Sequence, residues 1–366
     1  MLLRTLNLFL FLLAALPVCA FNPETIEEKV GQLLIVHFQG SEANEEAEKL
    51  IQKAFVGGII YYNWANDLTS PKQVSALSAS LQQKAKIPLW ICIDQEGGPV
   101  TRLKKGFKTY PGNRELANKS TPQQAFKIAT QAAIQLRSVG VNMNLAPVVD
   151  ISTDPETSYM TSRTFGNDPE VVMKYAKPVM EAFREQKVLP VLKHFPGYGG
   201  AAADPHSALP ILNKTLPELL SWELMPFIEL KPEAIMSAHL FLPLLDNKHC
   251  ATLSKKILQN LLRWQLGFQG LVISDSLTMQ GVLKDCASIE EAAIQAINSG
   301  CDLIILGGTL LVEGQEKQER TAEDNLKLHA ALVNAVKEGR IPLSRIEEAV
   351  GRSLALKEKY LSELNP

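Results

Sequence analysis

Charge of one sign is not in excess in this 366-residue sequence: Lys and Arg number 37, Asp and Glu 39, and the formal net charge is −2. No basic run stands out, which argues against nucleic acid and against an anionic membrane surface as main partners. Repeats of the solenoid kind and low-complexity tracts are also missing. Cysteine is scarce, with five in all. Beyond Cys19, the spacing of Cys92, Cys250, Cys286 and Cys301 suits neither a zinc site nor a disulfide-dense scaffold. Cys92 and Cys301 fall in or beside apolar runs, so buried free thiols are the expectation. One disulfide among the four is compatible with an oxidising compartment, and the spacing does not pair them. No apolar run is long enough to cross a bilayer, which takes about 20 residues. No cofactor or metal site is expected.

What is present is an ordinary globular composition, 46% hydrophobic and 21% charged, enough for a large buried core. The first twenty residues stand apart. Arg4 supplies a positive charge, residues 8–16 are unbroken apolar, and Pro17-Val18-Cys19-Ala20 follows. This reads as a secretory signal peptide cleaved after Ala20, and predicts export to a periplasm or the outside. A lipoprotein signal with Cys19 as the lipidated residue ranks second, because Pro17 and Val18 occupy positions where small residues are usual. An uncleaved anchor ranks third. The expected division is a signal peptide over 1–20 and one catalytic domain over 21–366.

Eight short apolar runs rich in Val or Ile follow, at 31–38, 58–62, 88–94, 141–150, 188–194, 234–240, 270–275 and 302–307. Strands buried on both faces, as parallel strands are, read in this way. Between them lie amphipathic segments with helix signals. Ser70-Pro71, Thr121-Pro122 and Asp168-Pro169 each pair a cap with a first-turn proline, opening helices that reach about 86, 140 and 186. Further helices are expected at 216–230, 254–266, 288–298, 321–338 and 343–361. Strand then helix, eight times over, predicts an α/β fold of one domain, a (β/α)₈ TIM barrel with extra terminal helices. An open doubly wound sheet is the alternative, but no GxGxxG follows the first strand.

Barrels of this kind carry their chemistry at the carboxyl ends of strands. Here the third run ends in Asp94-Gln95-Glu96-Gly97-Gly98, the fourth in Asp150 and the fifth in Lys193-His194. The sixth carries His239 and the seventh ends in Ser274-Asp275. Any one strand-terminal Asp has about an even chance of being only a helix cap. Converging on one rim, they point to an active site. After the fifth run comes a stretch, 195–206, too dense in Gly and Ala to pack a core and expected to loop over the barrel mouth. In it Asp204 and His206 stand two apart, and Pro205 forces Asp204 into extended backbone, so both side chains point the same way. A carboxylate beside an imidazole orients it and raises its basicity, which suits a general acid/base.

At these residues the chain resembles glycoside hydrolase family 3, and within it the bacterial β-N-acetylglucosaminidases. The resemblance spans the barrel from about residue 26 to 361. It rests on Lys193-His194-Phe195-Pro196-Gly197 followed by Asp204-x-His206, on Asp94-Gln95-Glu96-Gly97-Gly98 with Arg102, on Ser162-Arg163-Thr164-Phe165-Gly166 and on Ile273-Ser274-Asp275, in that family's order. It implies that Asp275 is the nucleophile, and that His206 oriented by Asp204 is the acid/base where most retaining glycosidases use a second carboxylate. It implies further that Asp94, Arg102, Arg163, Lys193 and His194 hold the terminal sugar. The activity implied is exo-hydrolysis of terminal N-acetylhexosamine, from peptidoglycan-derived or similar glycans; a monomer is expected.

The chain departs from the family pattern at Tyr198, where His is usual, at Pro205, where Ser is frequent, at Ser276 after the nucleophile, and at Pro99 after the glycine pair. None of these removes a proposed chemical group. Readings that remain open are a β-glucosidase-like or phosphorolytic relative, a sugar-binding barrel without turnover, and a Schiff-base aldolase using Lys193.

Overall fold

The structure, a computed structural model, describes residues 22–152, 160–201, 209–283, 286–310 and 318–362. The expected signal peptide, Asp204 and His206 lie outside the described residues. The apolar runs form parallel strands: β1 (Leu34–Val36), β2 (Gly58–Ile60), β3 (Trp90–Ile93), β4 (Met143–Asn144), β5 (Leu189–Pro190), β6 (Leu192–Phe195), β7 (Ala234–Ser237), β8 (Leu271–Ser274) and β9 (Ile304–Ile305). They follow one another around a ring. β1 to β5 run in order, with Ile35 opposite Gly58, Ile59 opposite Ile91, Cys92 opposite Met143 and Met143 opposite Leu189. β6, β7 and β8 continue it, β8 reaches β9 through the Ile273–Leu303 bridge, and β9 returns to β1 with Leu34 opposite Ile304. β5 and β6 are one stave interrupted at Val191, so the ring has the expected eight staves.

The strands are shorter than the apolar runs. In 141–150 the regular strand covers only Met143–Asn144, although the Leu145 N–H still donates to the Ile93 carbonyl and the Ala146 carbonyl accepts the Val191 N–H. Beyond it, Val148 forms a parallel bridge with Lys193. An antiparallel pair, β10 (Thr309–Leu310) with β11 (Gln318–Glu319), was not foreseen.

Helices form where the sequence shows a cap. Ser70, Thr121, Asp168, Ser288 and Thr321 each accept a backbone N–H from the first turn of the helices Pro71–Lys84, Pro122–Ser138, Pro169–Glu185, Ile289–Ser299 and Ala322–Lys337. The expected helix at 216–230 is instead two short ones, Leu216–Leu220 and Met225–Glu229. Pro226 cannot donate to the preceding turn, so it sits at the start of the second. The segment at 254–266 is wound as a π-helix over Lys256–Gln265. Among the described residues no helix is long and apolar enough to cross a membrane.

Two apolar cores result. One lies between staves and outer helices. The other fills the barrel with alternate strand residues, Ile35, Ile60, Cys92, Met143, Met236, Leu271, Ile273 and Ile305 among them, and is joined by Tyr360 and Leu361 of the last helix, Leu343–Leu361. Cys92 and Cys301 are buried, and burial pushes both thiols up, Cys301 to about 12. The last helix is tied to the barrel by buried polar contacts. Lys357 Nζ donates to Gln32 Oε1 at 2.8 Å and to the Gly57 carbonyl at 3.0 Å, and Trp90 Nε1 donates to Ser353 Oγ at 3.1 Å. Asp302 gathers Arg345 at 2.7 Å, Arg263 at 2.6 Å and Arg352 at 3.1 Å.

Candidate active site

The opposite end of the barrel is polar. Tyr62, Asp94, Glu96, Arg102, Arg163, Lys193, His194, Asp275 and Ser276 line one cavity, with Ile60, Leu145, Met236 and Ile305 from the barrel interior as its floor. Of the sequence-predicted site residues, Asp94, Arg102, Arg163, Lys193, His194 and Asp275 are therefore brought together.

The β3 turn sets the first group. Gln95 is pinned by Asn144: its N–H donates to Asn144 Oδ1 at 3.0 Å and its carbonyl accepts from Asn144 Nδ2 at 3.1 Å. Its side-chain oxygen takes the N–H groups of Arg102 (2.8 Å) and Leu103 (3.1 Å), closing the loop that returns Arg102 to the rim. Gly97 holds φ +87°, and a Cβ there would meet the Pro111 carbonyl oxygen at 2.3 Å, so only glycine fits this turn.

Lys193, from β6, is buried beneath two carboxylates. Its Nζ lies 2.7 Å from Asp94 Oδ1 and 2.8 Å from Glu96 Oε1. Arg163 grips Glu96 with two parallel bonds, Nε at 2.9 Å and Nη2 at 2.7 Å, and Arg102 Nη2 is 3.5 Å from Asp94 Oδ2. The guanidinium fork of Arg163, expected on the sugar, is thus turned to Glu96. Burial works against every charge here, but the partners win. Lys193 and Arg102 hold Asp94 well below the usual carboxylate range, and Lys193 and Arg163 bring Glu96 down to about 2. Asp94 and Glu96 in turn raise Lys193 above its ordinary value against the pull of burial. Among the described residues, the buried Nε of Arg102 has no hydrogen-bond partner.

His194 is fixed from behind. Its Nδ1 is 2.7 Å from Asp150 Oδ2, and Asp150 also accepts the backbone N–H of His194 at 3.2 Å and of Tyr198 at 2.7 Å. The Gly-rich stretch expected to stay out of the core begins inside it: Tyr198 and Ala201 are buried, and Gly197 and Gly199 pass against the buried side chain of Glu223.

Asp275 follows β8 and is half-buried. Its N–H donates to the Ser237 carbonyl at 3.1 Å, and its Oδ1 accepts the N–H of Ser276 at 2.7 Å. Ser276 is anchored through its hydroxyl to the Gly307 carbonyl at 2.5 Å and through its own carbonyl to His239 Nε2 at 2.9 Å. His239, noted as a strand-end ionisable residue, therefore supports the turn that carries Asp275. The sequence pattern assigns no role to Glu96, the second acceptor of Lys193, or to Asp150, the partner of His194. Tyr62 escaped notice altogether, since a Tyr ending an apolar run looks like core. Among the described residues, no three of His, Cys, Asp and Glu are grouped to hold a metal ion.

The chain matches the glycosyl hydrolase family 3 N terminal domain over residues 25–356. It is 31% identical over 339 residues to beta-hexosaminidase A of Pseudoalteromonas piscicida, a match covering 86% of this chain and 55% of that protein. It is 32% identical over 339 residues to the beta-hexosaminidase LpqI of Mycobacterium tuberculosis, covering 90% and 82%. The solved structure of a glycoside hydrolase family 3 beta-N-acetylglucosaminidase from Paenibacillus superposes with a TM-score of 0.87 at 38% identity, over 94% of this chain and 64% of that one. This chain thus spans a little over half of the Pseudoalteromonas protein and under two thirds of the Paenibacillus chain. By fold, by the residues gathered at one rim and by the length of the match, the chain belongs to glycoside hydrolase family 3.

Proposed function

We propose that this chain is a retaining, exo-acting β-N-acetylglucosaminidase that releases terminal non-reducing N-acetylhexosamine, with peptidoglycan-derived glycans among its substrates. The observation that carries the reading is the shared cavity: Asp275 faces the same space as the Asp94–Lys193–Glu96–Arg163 ion cluster and Arg102. The cluster supplies fixed charges for the sugar hydroxyls and holds the anomeric carbon in front of Asp275, which lowers the entropy cost of reaction. Asp275 attacks that carbon, the bond to the leaving oxygen breaks, and the oxygen takes its proton from His206, oriented by Asp204. In the second step the neutral His206 removes a proton from water, which displaces Asp275 from the glycosyl-enzyme. An imidazole titrating near 6.5 serves both steps near neutral pH. The roles of Asp204 and His206 rest on their spacing and on the family resemblance. We further infer that residues 1–20 direct export.

Lys193 argues against Schiff-base chemistry. A lysine that attacks a carbonyl must lose its proton, and here two carboxylates raise its affinity for it.

The test is a panel of aryl β-glycosides differing only at C2, with wild-type protein and Asp275→Ala. The N-acetylglucosaminide is expected to be cleaved in preference to the glucoside, and Asp275→Ala to lower kcat by about four orders of magnitude. Wild-type turnover by Asp275→Ala would remove Asp275 from its role, and preference for the glucoside would overturn the C2 assignment.

A further inference from the structure

Trp64 is 45% exposed, yet its indole is held in place. It stacks on Tyr62, with ring centroids 5.2 Å apart and planes at 19°, and meets His37 edge-on at 5.0 Å. His37 and Tyr62 are themselves in edge contact at 5.9 Å. His37 is buried against the turn following β9: its Nδ1 accepts the Gly308 N–H at 3.4 Å, and burial depresses its pKa to about 4, so it packs as a neutral ring. Neighbouring Asn63 donates its side-chain amide to the Arg102 carbonyl, and the Tyr62 N–H donates to Asn66 Oδ1 at 3.1 Å. An exposed indole locked in this way has already lost the rotamer freedom that binding would otherwise cost.

Its position gives the lock a purpose. Tyr62 is a wall of the site cavity and feels the charges of Asp94, Arg102 and Asp275, and the Arg102 guanidinium sits 6.0 Å from its ring centroid. Trp64 is one stacked ring away from that wall, on the same rim and towards solvent. In exo-cleavage the terminal sugar fills the buried cavity, and the group on the far side of the scissile bond lies at the rim. A β-linked pyranose presents C–H bonds on its faces and packs on an indole as another ring does.

We propose that Trp64 is the stacking platform for the sugar ring on the leaving-group side of the bond, so that the chain favours a saccharide aglycone over a small one. This rests on the activity proposed above. The full-chain protein, as wild type, Trp64→Ala and Trp64→Phe, is assayed on N,N′-diacetylchitobiose and on methyl β-N-acetylglucosaminide. The ratio of kcat/KM for the disaccharide to that for the methyl glycoside is expected to fall about tenfold in Trp64→Ala and to recover most of that loss in Trp64→Phe. In an Asp275→Asn background, chitobiose is expected to quench tryptophan emission, and Trp64→Phe, which keeps an aromatic ring for folding, to abolish the quench. An unmoved ratio with a retained quench overturns the platform, and would leave the indole as a contact for another protein. Wild-type protein that cleaves neither glycoside defeats the proposed activity itself, and the platform with it; cleavage of both with an unmoved ratio defeats the platform alone.

Discussion

The ammonium of Lys193 lies 2.7 Å from Oδ1 of Asp94, with the lysine almost fully buried and the carboxylate partly open to the cavity. The buried cation therefore sits under the carboxylate, fixing its charge and its direction. Removing the lysine leaves the two carboxylates only Arg102 and Arg163 to offset their charge. Lys193→Met is expected to cost about 3–5 kcal/mol of stability, because Asp94 and Glu96 would then face each other without it. Denaturant unfolding checks the loss. Turnover of an aryl N-acetylglucosaminide is expected to drop with it, and full stability in Lys193→Met would contradict the assigned role.

Asp150 gives a second, milder prediction. Its carboxylate accepts from three donors, so Asp150→Asn must set an amide N–H against one of them. A hydrogen bond to a charged group contributes about 1.5–3 kcal/mol, so kcat/KM is expected to fall about 10- to 100-fold as His194 loses its fixed proton and orientation. Steady-state kinetics on the aryl glycoside measures it, and unchanged kcat/KM would mean that His194 needs no such support.

Lys357 predicts a pH dependence far from the site. Burial lowers its pKa from 10.5 to about 7. Between those values the unfolded chain holds a proton that the folded chain has released, so this residue makes stability rise with pH from about 7 upward. Below 7 both states are charged and the cost of burying the charge is complete. The stability of wild type relative to Lys357→Met is expected to increase by about 1–3 kcal/mol from pH 7 to pH 9. Chemical unfolding of both proteins at the two pH values checks this. A flat difference would mean that Lys357 stays protonated on its Gln32 and Gly57 acceptors.

How much of this was legible in the sequence differs by kind of signal. Strand order was, because parallel strands buried on both faces leave apolar runs, and so were helices opened by a cap, such as Ser70-Pro71. The helix Glu45–Gln52, capped by Asn44, was not among the expected helices: it has only eight residues, four of them charged. The break at residues 221–224 was passed over because the apolar pattern runs through it while Pro226 interrupts the hydrogen bonds. In the site, Asp94, Lys193 and Asp275 announced themselves as charges at strand ends. Glu96 did not acquire a role, because two positions after Asp94 nothing in the sequence says that the turn at Gly97 folds it back onto the same lysine. Trp64 and Tyr62 were hidden for the opposite reason: aromatic residues beside an apolar run look like core until exposure is known.

The central claim is that Asp275 forms a bond to the sugar. The most direct measurement is intact-protein and peptide mass spectrometry after incubation with a 5-fluoro N-acetylglucosaminyl fluoride, which slows release of a glycosyl-enzyme. The account predicts one added N-acetylglucosaminyl-type group per chain, on the peptide containing Asp275, and none in Asp275→Ala. An adduct on any other residue, or active protein that the reagent neither labels nor slows, would contradict it.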